Sequence, residues 1–87
     1  MPIIVDQFNT LYVGGRKGKK FEIRYCPADR FAPWVVQSRG QGHYFETLRE
    51  ALAFVAGRGW IEAHMIKAYQ IQIMNTLDLK LSENDED

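Results

Sequence analysis

Cys26, His43 and His64 are the side chains in this 87-residue sequence best suited to nucleophilic attack or soft-metal ligation. A thiol enzyme combines a cysteine with an imidazole base and an orienting acid, and Cys26, His43 and Asp29 are of those types. No local motif brings them together, and an ordinary small buried thiol is the better account of Cys26. Metal binding demands tighter spacing. The chain has no C-x-x-C, H-x₃-H or H-E-x-x-H pattern, so Glu62-Ala63-His64 reads as a surface Glu and His near a turn. There is no G-x-S-x-G. Acid–base work by carboxylates needs two of Asp6, Glu22, Asp29, Glu46, Glu50, Glu62 and Asp78 in one cleft, and a chain this short rarely encloses one alone. The expectation is a protein that is not an enzyme, with no cofactor and no metal.

Phosphate chemistry is a better match. Gly14-Gly15-Arg16-Lys17-Gly18-Lys19-Lys20 is neither the P-loop nor the dinucleotide fingerprint. A glycine-rich basic turn still suits a nucleic-acid backbone, because glycine permits close approach and lysine needs no strict geometry. The candidate nucleic-acid contacts are Arg16, Lys17, Lys19 and Lys20, with Arg24 and Arg39. Trp34, Tyr44 and Trp60 would stack on bases if exposed and otherwise fill the core. The competing account of the charge run is a solvated loop that lysines keep soluble.

Charge distribution supports this focus. Eleven basic and eleven acidic residues give zero net charge. The last six residues, Ser82 to Asp87, hold four acids and nothing apolar. They read as a disordered acidic tail. Residues 1–81 then hold all 11 basic groups against 7 acids, an excess of four, and read as one small domain. A single cysteine fits a reducing compartment. The apolar start Met1–Val5 ends at Asp6, too short for a secretory segment. No stretch reaches the roughly 20 apolar residues of a membrane span. The expected location is cytoplasmic.

The elements that must position these residues follow from periodicity. Phe8 to Val13 reads as a strand, with Phe8, Thr10 and Tyr12 on one face. Phe21, Ile23 and Tyr25 alternate with Glu22, Arg24 and Cys26 as a second. The Gly-rich turn joins them into a hairpin with basic residues at its tip. Pro27 and Pro33 bracket a connection. Trp34 to Arg39 reads as a third strand, Gly40-Gln41-Gly42 as a turn, and His43 to Glu46 as a short fourth strand. Thr47-Leu48-Arg49-Glu50 fits a capping box, and Leu48, Ala51, Leu52 and Val55 continue at helical spacing to a stop at Gly57. Beyond Trp60, Ile66 to Met74 reads as a strand and Leu77 to Leu81 as a weaker one. The rival is one long helix, since Ile66, Tyr69, Ile73 and Leu77 also share a helical face.

Lys20 to Arg58 reads as a three-stranded sheet and a helix. The phrase Trp34-Val35-Val36…Gly40…Tyr44-Phe45…Thr47…Glu50-Ala51…Phe54 resembles the sheet-plus-helix DNA-binding domains of the AP2 and integrase arm-binding kind. That resemblance implies a sheet that enters the DNA major groove. The fourth strand here is not basic, and the segment after the helix departs from those families.

The expected fold is α+β: an antiparallel sheet of four to five strands with one main helix, Leu48–Gly57, packed on one face. The expected function is a small binding module that engages nucleic acid through its basic hairpin and sheet. The alternative is a protein-binding accessory or inhibitor of phage or plasmid type, acting on a larger nucleic-acid-handling enzyme. Leu77, Leu79 and Leu81, read as an edge strand, predict a homodimer closed by that edge.

Overall fold

The structure, a computed structural model, describes the backbone of residues 3–84 and the side chains of residues 3–78. Five strands form one antiparallel meander: β1 (Ile3–Val5), β2 (Thr10–Gly14), β3 (Lys20–Tyr25), β4 (Trp34–Ser38) and β5 (Gln41–Phe45), in that spatial order. Two helices, α1 (Leu48–Gly57) and α2 (Ile66–Asn84), follow. The α+β class and the antiparallel sheet are as the sequence predicts. Two helices, rather than one, cover the inner face.

The alternation in each strand decides which face is covered. In register, Val5, Leu11, Ile23, Val36 and His43 form one inward row, and Ile3, Val13 and Phe21 a second. Leu11, Val13, Ile23 and Val36 are fully buried. Helix α1 meets this face with Leu48, Ala51, Leu52 and Val55, the four positions its spacing predicts. Its start is also as predicted. The Glu50 N–H donates to the Thr47 hydroxyl at 3.1 Å, and the Thr47 N–H donates to the Glu50 carboxylate at 3.1 Å, satisfying two of the helix's orphan donors.

The C-terminal third corrects the sequence reading. Residues expected as strands at Ile66–Met74 and Leu77–Leu81 form the single helix α2. Tyr69, Ile73 and Leu77, four residues apart, are buried, while Ile71 is 51% exposed. The strand reading requires Tyr69, Ile71 and Ile73 to share a face. The physical reason is coverage. Helix α1 packs against β4 and β5, which leaves the apolar inner residues of β2 and β3 needing a long stripe. Ala68, Gln70, Gln72, Met74 and Leu77 are all better helix than strand formers. The edge strand on which the homodimer rests does not exist. The expected tail begins inside the last turn of α2, and residues 85–87 lie outside the described residues.

Three smaller corrections concern turns. The first predicted strand starts at Thr10 rather than Phe8, because Asp6 organises a turn: its carboxylate accepts from the Phe8 N–H at 2.8 Å and the Thr10 N–H at 3.0 Å. The apolar Ile3–Val5 forms a strand that the sequence pattern does not predict. The β4–β5 turn is Arg39-Gly40, one step before the predicted Gly40-Gln41-Gly42, and β5 starts at Gln41 rather than His43. Arg39 and Gly40 both have positive φ, 51° and 77°, the requirement of a two-residue type I′ hairpin, whose twist matches that of the strands.

Candidate nucleic-acid interface

In a meander, alternate connections fall at the same end of the sheet. The β2–β3 loop and the β4–β5 turn therefore lie together, and between them they carry Arg16, Lys17, Lys19, Lys20 and Arg39, all exposed. Five of the six predicted contacts thus share one end. Arg24 does not. It sits within β3 on the uncovered face, in a row with Thr10, Val35 and Tyr44. Sequence reasoning missed a sixth member of the end cluster, Arg58. Helix α1 leaves β5 at the opposite end and returns, so its C-terminus arrives beside the basic loop. The signal lies in the α1 length of ten residues, about 15 Å of travel at 1.5 Å per residue, close to the span of a five-residue strand.

Backbone contacts hold the loop in place. The Arg16 N–H donates to the Trp60 carbonyl at 2.7 Å, and the Gly15 N–H donates to the Lys19 carbonyl at 2.6 Å. Position 15 must be glycine, because a Cβ there would collide with the Trp60 carbonyl. Trp60 stacks on Phe21 with centroids 6.3 Å apart, and the Tyr69 hydroxyl donates to the Gly14 carbonyl at 2.9 Å. Burial raises the Tyr69 phenol above its ordinary value, which keeps that donor protonated.

Two tip residues are held in an unusual conformation. Lys17 and Gly18 have φ of 52° and 75°, and Arg39 and Gly40 repeat the pattern at 51° and 77°. Left-handed backbone costs a side-chain-bearing residue roughly 1–2 kcal/mol. Asn is the usual occupant before glycine in such turns, yet both positions carry a cation.

Arg16 lies 3.8 Å from the Glu62 carboxylate, which also meets His64 at 3.2 Å. Among the described residues, Lys17, Lys19, Lys20, Arg39 and Arg58 have no carboxylate within ion-pair distance. Arg58 lies over the Phe54 ring, 5.0 Å from its centroid. The opposite end has the other sign: Asp6, Asp29, Glu46, Glu50 and Asp78 stand against Arg24, Arg30 and Arg49. Among the described residues, opposite charges therefore gather at opposite ends of the sheet.

The other candidate residues do not assemble into a site. Cys26 follows β3 and His43 lies within β5, with β4 between them, so the two cannot hydrogen-bond. His43 instead packs on Phe54 at 4.6 Å between centroids. Trp34 is buried at 6% exposure, so it cannot stack on a base, whereas Tyr44 is 65% exposed. No cluster of three or more His, Cys, Asp or Glu side chains suited to a metal ion occurs among the described residues. No helix among them is long and apolar enough to cross a membrane.

No protein family, curated protein or solved structure matches this chain.

Proposed function

We propose that this chain is a non-enzymatic nucleic-acid-binding module that grips the phosphate backbone with the basic end of its sheet. The observation that carries the reading is the convergence of Arg16, Lys17, Lys19, Lys20, Arg39 and Arg58 from three separate connections onto one end. Five of these cations lack an acidic partner among the described residues. A loop that lysines merely keep soluble needs no second and third loop to join it. Lys17 and Arg39 also hold cations where low-strain residues were available, and such outliers concentrate at functional sites. Arg24 and Tyr44 share a row of the uncovered face near the other end of the sheet, outside this cluster. A reducing, cytoplasmic setting suits the lone Cys26.

Interactions of this kind read phosphates and not bases, so binding should be weakly sequence-dependent and strongly salt-dependent. The test is titration of labelled duplex and single-stranded DNA and RNA at several salt concentrations. Replacing Arg16, Lys17, Lys19 and Lys20 by Ala should abolish most affinity. It should also flatten the log–log salt dependence on duplex DNA by about 0.9 for each phosphate that is no longer neutralised. No binding by the unaltered protein at low salt would retire this reading in favour of a protein partner.

A further inference from the structure

The end of the sheet opposite the cations carries two projecting phenyl rings. Phe8 is 60% exposed and Phe31 is 86% exposed. Each follows an aspartate by two residues, and each aspartate fixes the turn beneath it. Asp6 accepts from the Phe8 N–H at 2.8 Å, and Asp29 accepts from the Phe31 N–H and the Ala32 N–H, both at 3.1 Å. Such Asx turns set the backbone, so both rings are displayed on ordered chain, and ordering already present need not be supplied on binding. Two large apolar side chains left in water on ordered turns are the anchors of an interface. Around them lie Asp6, Asp29 and Glu46 against Arg30, so the surface they fit has apolar ground within a net basic rim.

The molecule carries such a surface at its other end. One open pocket, about 420 Å³, has Phe21 and Trp60 in its lining, with Lys20 and Arg39 and the polar Glu22, Gln37 and Ser38. A second, about 410 Å³, is lined by Gly15, Lys20, Met65 and Tyr69. Lys20 borders both. Both are open depressions, so a phenyl ring would lie against the Trp60 and Tyr69 edges rather than be enclosed. We propose that copies of this chain associate head to tail, with the Phe8 and Phe31 end of one copy docked on the two pockets of the basic end of the next. Like ends repel each other, which disfavours a symmetric pair, whereas unlike ends attract. A head-to-tail contact does not close on itself in two copies, so it builds short open chains.

The experiment is sedimentation equilibrium on nuclease-treated protein, with no nucleic acid present, so its outcome is independent of the nucleic-acid reading. At about 0.01 M salt the weight-average mass should rise with concentration to about twice the 10.1 kDa monomer or more. It should fall back as salt approaches about 1 M, where the Debye length is about 3 Å. The double variant Phe8→Ala/Phe31→Ala, and separately Lys20→Glu/Arg39→Glu, should each stay monomeric. Both change exposed side chains, so the fold is retained, which circular dichroism checks. Mixed in equal amounts, these two variants should recover association but stop at two chains, because one keeps only the pockets and the other only the rings. A wild-type mass that stays at 10.1 kDa from micromolar to millimolar concentration at low salt overturns the proposal. So does association that survives either double variant, or a mixture that remains monomeric.

Discussion

The backbone N–H of Arg16 donates to the Trp60 carbonyl at 2.7 Å, joining the basic hairpin to the segment that leaves α1. The bond forms only because residue 15 has no Cβ. Gly15→Ala should therefore displace one partner and destabilise the protein by about 1–3 kcal/mol, the usual range for overpacking. Urea denaturation should show a lower midpoint, and the nitrogen signals of Arg16 and Trp60 should shift most in an NMR comparison. Unchanged stability would mean that the loop and Trp60 do not touch.

The Thr47–Glu50 capping box is reciprocal, so removing the hydroxyl deprives a backbone donor of its partner at the start of α1. Thr47→Ala should cost about 1 kcal/mol. The urea midpoint should fall while the slope m stays constant, because the surface exposed on unfolding is unaltered.

Left-handed backbone at Arg39 and Lys17 sets stability against binding. Arg39→Asn and Lys17→Asn should each stabilise the fold by about 1 kcal/mol, since Asn tolerates that conformation. Each should at the same time weaken nucleic-acid binding and lower its salt slope by about 0.9 on duplex DNA. Thermal melts and binding titrations on the same preparations check both. Variants that gain stability and keep full affinity would remove these two residues from the interface.

Alkaline pH should weaken the fold through Tyr69. Burial raises its phenol above 10.0, the ordinary value. The folded chain thus keeps a proton that the unfolded chain gives up near pH 10. The associated stability is complete below about pH 10 and lost as pH climbs through the folded value. Tyr12 adds in the same direction, first through its hydrogen bond to Asp6 and then through desolvation and the charges of Asp6 and Glu22. Urea midpoints above about pH 10 should fall more steeply for wild type than for Tyr69→Phe. Parallel curves would mean that the Tyr69 hydroxyl is not held in the fold.

How far the sequence discloses this protein varies with the element. Thr47, Glu50 and the Leu48–Val55 spacing specify α1, because capping and periodicity are local signals that agree. Phe21, Ile23 and Tyr25 specify β3 for the same reason. Helix α2 is ambiguous because Tyr69, Ile71 and Ile73 satisfy a period of two while Tyr69, Ile73 and Leu77 satisfy the helical one. What decides between them is the apolar face of β2 and β3 left open beside α1, a tertiary demand absent from the local pattern. Strand β1, three residues long, is below the length at which alternation can be seen. The basic tip is legible because Arg16 to Lys20 are contiguous. Arg58 joins them only after a sheet and a helix have folded back. Phe8 fits a strand pattern, so its projection from an Asx turn has no local signal.

The meander order also dictates how the chain can assemble. Each strand pairs with its neighbour in sequence, so every hairpin closes a short loop at small entropic cost. The contacts that span the chain are made by α2, with β1 and through the Tyr69 hydroxyl to the Gly14 carbonyl, 55 residues apart. Folding should accordingly begin with β3, β4, β5 and α1, which are contiguous and mutually buried, and α2 should dock after the rate-limiting step. Core truncations along α2, such as Ile73→Val, should then accelerate unfolding and leave the folding rate nearly unchanged, whereas Val36→Ala should slow folding. Stopped-flow chevrons on the two variants separate this order from one in which α2 takes part in the nucleus.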